Sequence, residues 1–203
     1  MKKGLAIGLG CLAIIIIAVV MLGFSAWGTY NSMVTLKVSV DTAWAQVDNV
    51  YQRRADLIPN LVATVKGYAS HEKDVFESVA ASRSQVGSIK LTPEMLNNPA
   101  EFQKFQQAQS GLSSALSRLL AVAENYPELK ANQNFLELQS QLEGTENRIA
   151  NERRRFNEVA QQYNTKIMQF PTNLFARMFG FSQKEFFKSA PGSDKAPAVD
   201  FTK

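Results

Sequence analysis

An uncharged apolar run near the N-terminus constrains this chain more than any other feature. Residues 4–24, GLAIGLGCLAIIIIAVVMLGF, contain no charged side chain. A helix of about 20 apolar residues can cross the hydrocarbon core of a bilayer, which is about 30 Å thick. Lys2 and Lys3 precede the run, and positive charge on a short N-terminal segment favours a cytoplasmic N-terminus. We therefore predict a membrane anchor over residues 1–29, with a span of about 4–27, and a translocated remainder.

A cleaved signal peptide is the alternative interpretation of this run. Signal peptides have an apolar core of about 7–15 residues, and this run is longer. The residues GFS before Ala26 form only a mediocre cleavage site. We expect a retained anchor, with Trp27 and Tyr30 at the membrane interface, where amphipathic rings accumulate. Cys11 is the single cysteine and lies within the run, so the part after the anchor has no internal disulfide.

The charge balance after the anchor gives no reason to expect a nucleic-acid partner. Of 22 Lys and Arg residues, two are Lys2 and Lys3, which leaves 20 against 18 acidic residues. The densest basic run is RRR at residues 153–155, and three successive side chains on a helix point in three directions. A nucleic-acid surface needs basic side chains on one face. We predict that the protein binds no nucleic acid.

Segments after the anchor repeat apolar residues in steps of three and four, the pattern of helices that pack on helices. The longest stripe is interrupted only by Lys37 and Arg54 and comprises Tyr30, Met33, Val40, Trp44, Val47, Tyr51, Ile58, Leu61, Val65 and Tyr68. Two further stripes begin at Phe102 and Phe135, and a shorter one begins at Val75. The predicted fold is all-α: an N-terminal transmembrane helix, then an up-down antiparallel four-helix bundle over residues 30–188 with long first and last helices. The Pro-rich residues 189–203 are expected to form a flexible tail.

Pro59 stands inside the first helix of this predicted bundle. A proline in a helix interior costs about 3 kcal/mol and frees the carbonyl four residues back, here that of Ala55. Burial of the surrounding apolar side chains is worth roughly 1.5–3 kcal/mol each. We expect the helix to continue through Pro59 as a kink, with Asp56 and Asn60 near the freed carbonyl and away from solvent. The alternative is a break, with Asp56 as the cap of a new helix.

Polar residues share one face of the first helix and one face of the last. The first set is Asn49, Arg53, Asp56 and Asn60, and the second is Asn147, Arg154, Asn157 and Asn164. Polar residues between packed helices fix their register. We interpret both sets, together with Arg54, Pro59 and Glu146, as a structural polar seam. A ligand pocket within the bundle is the alternative.

Antiparallel packing of the first and last helices predicts which residues face each other. If the start of the first and the end of the last are both near the membrane, facing residue numbers sum to about 200. Arg54 occupies a position that the stripe reserves for an apolar side chain, so we expect it to be partly buried and paired. The register nominates Glu146 as its partner. Slippage by one turn would offer Glu143 or Ala150 instead.

The sequence lacks the patterns of common catalytic and metal sites. It has one histidine, His71, and neither a zinc-ligand spacing nor a phosphate-binding glycine loop. Glutamates of the last helix resemble part of a two-metal carboxylate site, but that site needs a Glu-x-x-His motif on two helices. We predict a protein that is not an enzyme and that has no metal site and no cofactor.

The segment that follows the last helix is rich in aromatic residues. Residues 170–187 read FPTNLFARMFGFSQKEFF. Phe175 and Phe179 of this segment join Trp27 and Tyr30 as our candidate membrane-interface residues. Two interpretations stay open: the rings close the membrane-proximal end of the bundle core, or they contact lipid.

Four stretches of the sequence together resemble the LemA family. They are YNSMV at residues 30–34, AWAQVDNVYQRRADLIPNLVATVKGYASHE at 43–72, LQSQLEGTENRIANERRRFNEVAQQYN at 138–164 and FPTNLFARMFGF at 170–181. The resemblance covers residues 30–187 and extends to the N-terminal anchor. The family pattern often has alanine where Asn151 or Glu152 stands here, a departure that affects no major feature.

The resemblance implies a single-pass bacterial membrane protein with a cytoplasmic N-terminus and a periplasmic or extracellular helical bundle. It supplies no reaction. Family association with membrane proteases implies an envelope membrane protein, such as a protease, as a possible partner. We therefore expect a non-catalytic interaction or scaffold protein in the inner or plasma membrane, which forms a homo-oligomer or docks a membrane partner. The alternative is a membrane-shaping or lipid-binding module that acts through the aromatic segment.

Overall fold

The computed structural model describes residues 2–188, apart from the side chains of residues 2–9, 11, 13 and 22. Its regular structure over these residues is helical. The helices are α1 (Lys2–Tyr68), α2 (Lys73–Gly87), α3 (Pro99–Val122), α4 (Pro127–Lys130), α5 (Gln133–Met168) and α6 (Thr172–Met178), with 3₁₀ turns at Pro93–Asn97 and Ala123–Asn125. The predicted tail, residues 189–203, lies outside the described residues.

Helices α1, α2, α3 and α5 form the predicted up-down bundle. α5 lies antiparallel to α1, because Trp44 packs on Phe156 and Arg54 contacts Glu146. Both pairs of residue numbers sum to 200, which confirms the predicted register. α3 runs in the same direction as α1, since its contacts with Trp44 and Arg54 come in the same order along both helices. α2 follows α1 after a short turn at residues 69–72 and packs along α3.

α1 continues from the predicted anchor into the bundle without a break. It has 67 residues, which corresponds to a length of about 100 Å. An 18-residue window near its N-terminus has a mean hydropathy of 1.7, and none of that window is buried against the described chain. By length and composition, this part of α1 can cross a membrane. The predicted domain boundary at residue 29 falls within this continuous helix, since residues 25–35 contain no proline and a single glycine.

The helix also continues through Pro59, as predicted. However, Asp56 and Asn60 are exposed, so the prediction that they lie away from solvent is wrong. Asp56 instead accepts a hydrogen bond from Gln52 Nε2 at 2.8 Å. Pro59 is itself exposed, and water can therefore reach this side of the helix and hydrate the carbonyl that the proline frees.

Replacing Pro59 with alanine should raise the free energy of unfolding by about 2 kcal/mol. Alanine removes a helix penalty of about 3 kcal/mol, and roughly 0.5–1 kcal/mol is lost because proline restricts the unfolded chain. Urea unfolding of the full chain in detergent, followed by circular dichroism, measures the change. Lys66→Ala, an exposed substitution in the same helix, should shift stability by less than about 0.5 kcal/mol. A less stable Pro59→Ala variant would show that the core depends on the proline.

The buried apolar residues fall into two clusters, one on each side of Arg54 along α1. The first contains Trp44 and Tyr51 of α1 and surrounds them with residues of α3, α5 and the segment after α6. The second contains Ile58 and Leu61 and extends to the far end of the bundle. A polar layer therefore separates two apolar cores, and it holds the candidate site.

Candidate functional site

Arg54 is buried, with 2% of its surface exposed. Its Nη1 donates hydrogen bonds to Glu146 Oε1 of α5 at 2.8 Å and to Ser113 Oγ of α3 at 2.9 Å. Its Nη2 donates to Gln109 Oε1 of α3. The guanidinium carbon also lies 5.1 Å from the centre of the Tyr51 ring. We call Arg54, Gln109, Ser113 and Glu146 the Arg54 cluster; it contains the predicted contact between Arg54 and Glu146.

Gln109 is a member of the Arg54 cluster that was not predicted from the sequence. It is 5% exposed and follows Phe105 by four residues and precedes Leu112 by three. It therefore occupies a position of the α3 apolar stripe, as Arg54 does in α1. Arg54 and Gln109 each stand where a stripe calls for an apolar residue, and they meet in the core. This common irregularity was the sequence signal from which their contact could have been predicted.

A cavity of about 540 Å³ lies beside the Arg54 cluster, between α3 and α5. Tyr51 and Arg54 of α1 form part of its lining, and Gln106 and Ser110 of α3 and Arg153 of α5 line its sides. Burial raises the pKa of the Tyr51 phenol above its usual value, and the positive charges of Arg153 and Arg54 oppose that shift. The cavity is within the size range of ligand pockets, which is about 300–1,000 Å³.

Residues 181–188 form a non-helical segment along α5, which we call the C-terminal strap. Asn164 accepts a hydrogen bond from the backbone N–H of Lys184 at 2.8 Å and donates one to its carbonyl at 2.9 Å. Asn157 makes the same pair of bonds with Phe187, both at 2.9 Å. These two asparagines were predicted to set the register between helices. They instead bind the backbone of the strap, because they lie about 100° around α5 from the core residues Phe156 and Tyr163.

The strap carries Phe187 into the first core cluster. The Phe187 ring packs against Trp44, Phe102 and Phe156, with ring centres 5.0–6.1 Å apart. Lys184 of the strap is 5% exposed and donates from Nζ to Asn97 Oδ1 at 2.7 Å. Burial lowers the pKa of the Lys184 ammonium.

Replacing Asn164 with alanine should lower the free energy of unfolding by about 2 kcal/mol. The change leaves a buried N–H and a buried carbonyl of Lys184 without partners, and each unsatisfied group costs about 1–3 kcal/mol unless water reaches it. Hydrogen exchange at Lys184 and Phe187 should accelerate more than exchange within α3. Asn147→Ala, an exposed asparagine of the same helix, serves as the control. Unchanged exchange in the strap would contradict the assigned role of Asn164.

The remaining residues of the predicted polar seam lie on the bundle surface. They are Asn49, Arg53, Asp56, Pro59, Asn60, Asn147 and Arg154, all exposed, and Arg154 donates to Asn151 Oδ1 of its own helix. These residues lie on the surface for a geometric reason. Arg53, Asp56 and Asn60 each follow a core position by two residues, and two residues of a helix rotate the side chain by about 200°. They therefore share one face, as predicted, but that face is opposite the core.

The predicted membrane-interface residues lie at the N-terminal end of the bundle. Trp27 is 73% exposed, and the Tyr30 ring packs on Phe179 with ring centres 5.0 Å apart. Phe175 is partly buried against the first core cluster, whereas Phe179 is 44% exposed. The aromatic segment thus divides into rings that pack on the core and rings that face outward.

Among residues 2–188, the side chains that the structure describes form no group of three His, Cys, Asp or Glu that could hold a metal ion. The glutamates of α5 point in different directions: Glu146 pairs with Arg54, and Glu143 accepts a hydrogen bond from Gln139 at 3.0 Å. The cavity beside the Arg54 cluster offers hydrogen bonding and a small excess of positive charge, since Arg54, Arg153 and Lys188 line it against Glu146 and Glu185.

Fold and site define an all-helical bundle protein with a long apolar N-terminal helix and a buried arginine layer. The chain belongs to the LemA family, whose model matches residues 43–201. This confirms the resemblance found in the sequence motifs.

Curated relatives extend the comparison. The chain is 29% identical over 181 residues to the magnetosome protein MamQ of Magnetospirillum gryphiswaldense and 28% identical to MamQ 2 of Paramagnetospirillum magneticum. Each alignment covers 81% of this chain and 66% of the relative, so the chain spans just under two thirds of their length. It is 22% identical to Protein LemA of Metamycoplasma hominis over 163 residues, which cover 80% of this chain and 70% of that protein.

Proposed function

We propose that this protein is a membrane-anchored, non-catalytic interaction protein of the bacterial cell envelope. Its bundle docks onto a membrane partner, such as a protease, or associates with further copies of the chain. The observation that carries the proposal is the continuity of α1, which runs from the apolar N-terminal part through both core clusters. A bundle built on the same helix as its anchor stays at the bilayer in a defined orientation, which suits a docking role.

The anchor itself is tested by the mature N-terminus and the side of the membrane on which the bundle lies. We expect the purified protein to retain residues 1–25, and a reporter fused after Lys203 to be active only outside the cytoplasm. A mature N-terminus at Ala26 would identify a cleaved signal peptide and overturn the anchor. The two measurements are independent, because a cleaved chain would still be translocated.

The docking role is tested by chemical crosslinking in native membranes, followed by purification of the full chain through a C-terminal tag. We expect one or a few envelope membrane proteins, or a ladder of copies of this chain, at amounts comparable to the bait. The control replaces residues 30–203 with an unrelated tagged domain and keeps the same anchor. Recovery of the same proteins with that control, or of monomer alone, would contradict the proposal.

A lipid-binding function is the second candidate, and the exposed side of α6 favours it. Leu174 and Met178 share one face of α6 and are 58% and 66% exposed, and Phe170 just before the helix is 80% exposed. The opposite face carries Thr172 and Ala176, which are buried. An apolar face beside the start of the bundle suits contact with the interfacial layer of a bilayer.

Spin labelling of the full chain in proteoliposomes tests this second function. A nitroxide on Leu174→Cys, in a background with Cys11→Ser, should collide more often with dissolved oxygen than with a water-soluble nickel chelate. A nitroxide on Gln161→Cys, at an exposed position of α5, should show the reverse. Preference for the nickel chelate at residue 174 would place this face in water and end the lipid hypothesis.

A further inference from the structure

The cavity between α3 and α5 continues the path of the C-terminal strap. Along the strap, Lys184 lies at Asn164 and Phe187 lies at Asn157. Between these two contacts α5 rises about 10.5 Å over seven residues, and the strap covers about 10 Å over three extended residues, so the two run side by side. The strap thus runs toward the lower residue numbers of α5, and the cavity lies further along that direction.

The last residue of the strap, Lys188, lies at the edge of the cavity. Its N–H donates to Gln106 Oε1 of α3 at 3.3 Å, and its carbonyl accepts from Arg153 Nη2 of α5 at 3.2 Å. Beyond Lys188, polar side chains continue to line both walls, with Gln109 on α3 and Glu146 on α5. A groove that binds the strap backbone through polar side chains therefore offers the same kind of side chain further along α3 and α5.

Two buried donors beside this groove have no hydrogen-bond partner among the described residues. They are Nε of Arg54 and Nε2 of Gln109, and both side chains are at least 95% buried. Buried donors are normally satisfied, so an acceptor brought beside these two would be stabilised. The cavity lining also carries three cations, Arg54, Arg153 and Lys188, against the two carboxylates of Glu146 and Glu185. One additional carboxylate would supply the acceptor and balance the charge.

We propose that this groove binds an extended segment of a partner protein and that an acidic side chain of the segment is held by Gln109 and Arg54. The inference rests on the proposed docking function and names the chemistry of the partner. The buried side chains of Tyr51, Phe102 and Ile149 lie at the apolar floor of the groove, and the glutamines of α3 at its edge provide donors and acceptors for the partner backbone.

The chain's own sequence after Lys188 does not supply the acidic group at this register. Its first acidic residue is Asp194, six positions further on. Glu146 lies seven residues along α5 from Arg153, about 10 Å, which is only three extended residues. A segment that continues the strap directly would therefore pass the Arg54 cluster before Asp194 is reached.

Photocrosslinking of the full chain in its native membrane tests the proposal. p-Benzoylphenylalanine replaces Gln107, an exposed residue of the groove, and the attached peptides are identified by mass spectrometry. We expect attachment to another protein, within a few residues of an aspartate or glutamate. Ser110→Asp places a negative charge in the groove and should reduce the yield at least tenfold. Ser110→Ala should leave the yield within twofold.

Ala121→Asp is the matched charge control, since it adds the same charge to an exposed position of α3 about 16 Å from Ser110. Its yield should also stay within twofold. A synthetic peptide of the mapped segment should bind the full chain in nanodiscs, and its Asp→Asn or Glu→Gln version should bind at least tenfold more weakly. Unchanged circular dichroism and melting of Ser110→Asp show that the bundle is intact.

Results that contradict the groove proposal can be told apart from those that contradict the docking function. Attachment to residues 189–203, to a second copy or to a segment without an acidic residue would overturn the proposal, as would no attachment. Equal yields with Ser110→Asp and Ser110→Ala would overturn it too. If chemical crosslinking still recovers a partner in those cases, the docking function stands and the groove is not its site. If chemical crosslinking also recovers nothing, the docking function fails as well.

Discussion

Replacing Trp44 with alanine should lower the free energy of unfolding by about 3–5 kcal/mol, the usual cost of removing a large buried ring. Trp44 is 2% exposed and contacts rings from three parts of the chain: Phe105 of α3, Phe156 of α5 and Phe187 of the strap. The ring centres lie 5.5–6.1 Å apart. Its loss opens a cavity where these parts meet, so the strap should detach before the helices separate.

Urea unfolding of the full chain in detergent measures this effect, and hydrogen exchange of the strap measures the detachment. Trp44→Phe keeps most of the ring and also removes an indole N–H that has no partner among the described side chains. Its cost should be below about 1.5 kcal/mol. Trp27→Ala removes the same residue type from an exposed position and should have little effect on the bundle. A loss below about 1 kcal/mol for Trp44→Ala would show that the first core cluster does not depend on this ring.

The helices and their register followed from the sequence because helix packing leaves a periodic trace. The stripe from Met33 to Val65 consists of buried residues with two polar interruptions, and α1 buries that face. The length of the stripes sets which helices are long. The antiparallel arrangement then fixes which residues meet, since both helices rise by the same distance per residue. The contact between Arg54 and Glu146 is a consequence of that arithmetic.

The exposed polar faces were misread because a shared face does not reveal its direction. Arg53, Asp56 and Asn60 repeat with helical spacing, as core residues do. Only their offset of two residues from Tyr51, Arg54 and Ile58 shows that they lie opposite the core. Lys37 shows the converse, that a polar residue within an apolar stripe can be exposed. It interrupts the apolar stripe, yet it is exposed and pairs with Asp41 four residues later at 3.0 Å.

The strap could not be predicted from a pattern, because its contacts have none. The strap is held through the backbone groups of Lys184 and Phe187, and every residue carries such groups. Their partners are two asparagines 20 and 30 residues away. Aromatic residues in this segment suggested closure of the membrane-proximal end. Phe187 instead reaches Trp44, which lies 14 residues along α1 from Tyr30, about 21 Å. The groove beyond the strap was likewise hidden from the sequence.

Glu146→Ala should destabilise the bundle by about 3 kcal/mol, at the lower end of the range for breaking a buried ion pair. The buried guanidinium of Arg54 would keep only the neutral acceptors of Gln109 and Ser113. The effect stays at the lower end because the Glu146 side chain is 42% exposed, so water can reach the site. Arg54→Ala should cost a similar amount, since it leaves a cavity and deprives Gln109 of its partner.

The double variant should cost clearly less than the sum of the two single changes, by about 2–3 kcal/mol, because each single change already removes the pair. The exposed pair of Lys37 and Asp41 is the control, and its coupling should be no more than about 0.5 kcal/mol. Simple additivity at Arg54 and Glu146 would show that the two charges do not stabilise each other.

Arg54→Met with Glu146→Leu separates stability from specificity. Replacing such a pair by apolar residues is often neutral, so we expect that variant to fold. If the polar layer between the two core clusters sets the register of α1, α3 and α5, the variant should nevertheless show broadened NMR signals around residue 54. Sharp signals with unchanged chemical shifts elsewhere would show that the apolar stripes alone set the register. The role of the Arg54 cluster would then be confined to the groove.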